Sequence, residues 1–87
     1  MYKRQGINRA GQTFLNEGNT EAAIAVFELA VYLRPNSWVA HFNLGAVYAA
    51  SGHVDDAIIS FEHALTLNPE NEAARSRLES LRDRTIE

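Results

Sequence analysis

Three histidines, five serines, one lysine and an adjacent pair of aspartates are the residues of this 87-residue chain with which chemistry could be done. A metal or a general base would call on His41, His53 and His63. Two ligands share one helical face when they stand four residues apart, as in the zinc motif H-E-x-x-H. These three are separated by 12 and 10 residues, and there is no cysteine to complete a thiolate site. A nucleophile would have to be Ser37, Ser51, Ser60, Ser76 or Ser80. None lies in a G-x-S-x-G elbow and none opens an S-x-x-K motif, because the sole lysine is Lys3. Gly11 and Gly45 stand singly and make no phosphate-cradling loop. Asp55 and Asp56 are accounted for by the start of a helix, whose free N–H groups favour negative charge. The chain is therefore not expected to be an enzyme by itself, and no cofactor or metal is expected.

The elements that carry these residues recur with a period of 34. Setting residues 4–37 against 38–71 without gaps pairs Gly11 with Gly45, Gly18 with Gly52, Ala23 with Ala57 and Phe27 with Phe61. The same register pairs Ala30 with Ala64, Leu33 with Leu67 and Pro35 with Pro69. Each period reads as two helices. In the second period, Asn36 and Ser37 provide an N-cap and Val39, Phe42, Leu44, Val47 and Tyr48 follow helical spacing from about Trp38 to Ser51. Gly52 ends that helix, a second runs from about Asp55 to Leu67, and Pro69 stops it. Gly11 and Gly45 fall inside helices, where glycine costs about 1 kcal/mol relative to alanine. That cost predicts a close neighbour, with Ala23 and Ala57 as the complementary small positions and Phe14, Phe27, Tyr48 and Phe61 filling the space between paired helices.

Composition narrows the partners. Apolar residues make up 46% and charged residues 22%, the balance of a folded domain, and 87 residues leave room for one core. The net charge of −3, with acidic residues offsetting the four arginines Arg75, Arg77, Arg82 and Arg84 near the C-terminus, argues against nucleic acid. No apolar run reaches the roughly 20 residues of a membrane-spanning helix. No secretory signal is legible at the N-terminus, so cytoplasm is the expected compartment.

The run Leu44-Gly45-x-x-Tyr48, then Gly52, Ala57, Phe61, Ala64 and Pro69, resembles the tetratricopeptide repeat. The first period matches through Gly11, Phe14, Gly18, Ala23, Phe27, Ala30 and Pro35, departing at Ala10 where the family carries leucine. Ile7 and His41 stand where the family has an early tryptophan. The resemblance implies an all-α fold: a fragment of a right-handed α-solenoid with repeats over 6–37 and 38–71. A capping helix over 72–84, striped by Ala74, Leu78 and Leu81, and a frayed tail over 85–87 would follow. Residues 1–5 read as a non-native leader, since Met1-Tyr2-Lys3-Arg4-Gln5 back-translates into a sequence similar to a transposon end used in library construction, which makes the chain a truncated piece.

The resemblance also implies a binding role, in which the first helix of each unit lines a concave groove for a peptide or partner domain. Its groove positions fall on Asn8, Arg9, Gln12 and Asn16, then on Val39, Phe42, Asn43 and Ala46, then on Arg77. Phe42 is the expected anchor for an apolar side chain, the alternative being core packing against the first unit. Asn43 and Arg77 match two positions of the clamp with which some family members hold a C-terminal carboxylate, whereas Asn8, Gln12 and Ala73 do not supply the rest. Two other accounts stay open. The stretch from Glu21 to Leu67 is similar to the repeat tail of bacterial serine-β-lactamase-like hydrolases, whose catalytic domain would lie upstream. Alternatively the chain self-associates through an uncapped N-terminal face bearing Ile7, Phe14 and Leu15.

Overall fold

The computed structural model describes residues 5–85. Five α-helices follow one another: α1 (Gln5–Asn16), α2 (Thr20–Leu33), α3 (Trp38–Ala50), α4 (Val54–Leu67) and α5 (Glu72–Thr85). Of the leader expected at 1–5 only Gln5 is described, as the first residue of α1; of the tail expected at 85–87 only Thr85, as the last of α5. The remaining positions of both lie outside the described residues.

Each boundary has a local cause. Asn19 accepts a hydrogen bond from the Ala22 N–H, and Ser37 accepts one from the Ala40 N–H at 3.2 Å, so each supplies a partner to a helix start that would otherwise lack one. Ser37, rather than Asn36, is the residue that caps α3. Gly18 and Gly52 turn the chain between paired helices at φ of 82° and 87°, a left-handed conformation that a side chain would strain.

Packing is sequential. The main contacts run α1 to α2, α2 to α3, α3 to α4 and α4 to α5, and the molecule is drawn out to 45 × 28 × 18 Å. Two apolar clusters occupy it. One gathers Ala23, Phe27, Leu44 and Val47 at the junction of the first and second helix pairs; the other gathers Ala57, Phe61, Ala64, Ala74, Leu78 and Leu81 under α5.

The interior glycines are explained by rings. A Cβ on Gly11 would stand 2.6 Å from the Phe27 ring, and one on Gly45 would stand 2.9 Å from that of Phe61. The close neighbour is thus a phenyl edge laid on the helix backbone, with Ala23 and Ala57 fully buried nearby in the core. Phe27 and Phe61 are buried, whereas Phe14 and Tyr48 are half-buried flanks of the clusters.

Candidate functional site

Helices α1, α3 and α5 lie side by side, and two contacts with the same offset of 35 residues tie them. Asn43 Nδ2 donates to Asn8 Oδ1 at 3.3 Å, joining α3 to α1. One unit on, the Arg77 guanidinium of α5 lies 5.3 Å from the ring centroid of Phe42 on α3. Such a cation over an aromatic face is attracted by the ring quadrupole.

Phe42 is half-buried. Its ring meets that of Phe61 edge-on at 5.4 Å and that of Trp38 at 6.3 Å. Its packing is therefore against its own unit and the last helix, not against the first unit, and Arg77 covers part of what remains. Below this pair lies a hollow of ≈ 300 Å³ with alanine walls, Ala46, Ala49 and Ala50, and with Phe61, Leu81, Ser80 and Arg77 completing it.

Arg77 differs from its neighbours on α5. Arg82 pairs with Glu62 at 2.6 Å, and Arg75 donates to the Pro69 carbonyl at 2.6 Å while standing 3.9 Å from Glu72. Among the described residues, no carboxylate lies within salt-bridge reach of Arg77.

A second hollow, of ≈ 250 Å³, opens where α1, α2 and α3 meet. Ile7, Asn8, Leu33, Arg34 and Val39 are among its lining residues. The other expected groove residues are on the surface: Gln12 and Asn16 are exposed and bonded to each other at 3.2 Å, and Arg9 is exposed outside both hollows.

The histidines fall into two situations. His53 precedes α4, its ring edge-on to Tyr48. His41 is buried, and its Nε2 donates to the Pro35 carbonyl at 2.8 Å. The His63 ring stands 5.1 Å from that of His41. Sequence spacing missed this pair because it forms across two helices, and only the antiparallel pairing of α3 with α4 within the second unit could have signalled it. Among the described residues, no cluster of three or more His, Cys, Asp or Glu able to hold a metal is present. No helix among them is long and apolar enough to cross a membrane.

Comparison with known proteins agrees with this architecture. A family model described as tetratricopeptide repeat matches residues 11–83. The chain is 36% identical over 80 residues to the tetratricopeptide repeat domain-containing protein PYG7, chloroplastic, of Arabidopsis thaliana, covering 92% of this chain and 27% of that protein. It is 30% identical over 81 residues to the TPR repeat-containing thioredoxin TTL4 of the same plant, covering 93% of this chain and 12% of the relative. Human tetratricopeptide repeat protein 17 is 36% identical over 59 residues, 68% of this chain and 5% of its own length.

Proposed function

The chain belongs to the tetratricopeptide repeat family, and from that premise we propose that it is a protein-interaction module whose α1–α3–α5 face docks a peptide segment. Repeats of this family generally bind proteins rather than catalyse. The observation that carries the choice of site is the position of Arg77, a cation stacked on Phe42 beside an alanine-walled hollow and lacking a carboxylate among the described residues. Small side chains there let a ligand approach the helix backbone, the hollow takes one apolar side chain, and Arg77 supplies a charge-assisted bond to an acidic group. The segment that fits is an apolar residue next to a carboxylate, and Asn43 and Val39 lie further along the same face.

A displayed random-peptide library tests this, with emission of Trp38, the chain's single tryptophan, as a titration signal beside Phe42. Selected peptides are expected to share an acid adjacent to an apolar side chain. Arg77→Gln and Ala50→Glu, both at exposed positions, are expected to weaken them at least about tenfold, equivalent to about 1.4 kcal/mol. Peptides that bind both variants as they bind the parent would place the docking surface elsewhere.

The chain spans 27% and 12% of the first two relatives it matches, so the activity of a larger protein built around it is a separate proposal. A thioredoxin that contains such repeats supports a setting in which this unit accompanies a catalytic domain. The hydrolase-tail reading is one such setting, and it requires an S-x-x-K motif encoded in frame upstream.

A further inference from the structure

Helix α2 is apolar nearly all round, with Thr20, Glu21 and Glu28 its only polar residues. A helix of that kind is normally covered on every side. Its inner side is covered, since Ala23, Phe27 and Ala30 are buried. Its outer side is not: Leu29, Leu33 and Tyr32 are 48%, 54% and 80% exposed, and Ala25 is exposed beside them. With Ala22 they form a stripe at spacings of three and four, the pattern with which one helix packs along another.

The 34-residue register shows what this stripe is not built for. In α4 the equivalent positions are Asp56, Ile59, His63, Thr66 and Leu67, a mixed surface. There His63, Thr66 and Leu67 border a hollow closed by His41 and by Pro35 of the preceding unit. The proline corner is tied down by the His41 bond to the Pro35 carbonyl, and Arg75 repeats that bond to Pro69 one unit later. The equivalent position in the first unit is Ile7, which has no side-chain donor.

We propose that the outer stripe of α2 is a self-association surface, on which two copies of this chain pair α2 against α2, antiparallel about a twofold axis. The stripe carries no charge, so a copy of itself meets no like charge. Pairing in the antiparallel sense brings Glu21, at the start of α2, toward Arg34 of the second copy, just past its end, and both are exposed. A head-to-tail stack would instead press the stripe on the outer side of α5, where Arg75, Glu79 and Asp83 are exposed and would be desolvated. Closed twofold contacts are the commonest way for a chain to self-associate. The surface is separate from the α1–α3–α5 face, so its test is independent of peptide docking.

Sedimentation across micromolar to millimolar concentrations is expected to show a mass rising from 9.7 kDa toward twice that value. Leu29→Glu and Tyr32→Ser change exposed side chains, so the parent helical circular dichroism is expected to persist while the dissociation constant rises at least about tenfold. Because the chain has no cysteine, Leu29→Cys reports the geometry directly, and it is expected to form an intermolecular disulfide that Ser76→Cys on α5 does not. A parent that stays at 9.7 kDa, assembly beyond the dimer, or variants that associate unchanged would each overturn the proposal.

Discussion

Tyr48 is the residue at which the two helix pairs meet. Its ring flanks both apolar clusters, and its hydroxyl donates to Glu28 Oε2 on α2 at 2.6 Å. Burial, followed by the hydrogen bond to Glu28 and the negative charges of Glu28 and Asp56, pushes the phenol up to about 12 from 10.0. The folded state therefore keeps this proton between pH 10 and 12 while the unfolded chain releases it. The resulting stability is fully present below pH 10 and is lost as the pH rises toward 12. Denaturant midpoints are expected to fall over that interval, and Tyr48→Phe is expected to remove the part of the fall due to this group. A Tyr48→Phe protein with the parent's full pH dependence would show that the bond to Glu28 is not maintained in solution. The aromatic character of position 48 was legible as a core signal, but the acceptor was not, because Glu28 is 20 residues away and reaches it only through stacking.

At the scale of the helix, the start of α4 is weaker than those of α2, α3 and α5. Asn19 and Ser37 cap α2 and α3, and Asn71 Oδ1 accepts from the Ala74 N–H in the first turn of α5. His53, the 34-residue equivalent of Asn19, makes no side-chain cap bond to α4. Asp55 and Asp56 in the first turn offset this through their charge. His53→Asn is expected to stabilise the protein by about 0.5–1 kcal/mol, the usual gain for a cap, read as a higher thermal midpoint. An unchanged or lower midpoint would mean that the edge contact of His53 with Tyr48 outweighs capping. Helix existence and type followed directly from spacing and from glycine and proline punctuation. The ends differed from expectation by about one residue, at the close of α3 and the start of α4. Backbone hydrogen bonds from the Ser51 N–H to the Val47 carbonyl and from the Ala57 N–H to the His53 carbonyl mark these boundaries.

For the molecule as a whole, sequential packing makes α5 the cover of the second cluster. It brings in Ala74, Leu78 and Leu81 over Phe61, which is fully buried, and anchors itself through Arg82 to Glu62. The exposed ion pair contributes little, at most about 1 kcal/mol, whereas each buried leucine contributes about 1.5–3 kcal/mol. A chain of this size holds on the order of 5–10 kcal/mol in total. Ending the chain after Asn71 is therefore expected to abolish cooperative thermal unfolding and to expose Phe61 to hydrophobic dyes. A sharp melting transition in the shortened chain would show that the first three helices and α4 suffice.

The sequence by itself determined the helices, their pairing and the role of the small residues, because these depend on periodicity and on contacts that recur every 34 positions. A close neighbour at Gly11 and Gly45 could be inferred before any coordinates, with Ala23 and Ala57 as the expected facing positions; that the rings of Phe27 and Phe61 make the contact instead was decided by packing. Tertiary structure alone decided which polar and aromatic groups meet: Arg77 on Phe42, His41 beside His63, Asn43 on Asn8. It also located the exposed apolar stripe on α2, while Ile7, Phe14 and Leu15 of α1 are half-buried. The physical reason is that burial of a helix face depends on the angle at which its neighbours cross it. A repeat pattern records which side of a helix is apolar, and when nearly every side is apolar, as in α2, only packing shows which one is left to the solvent.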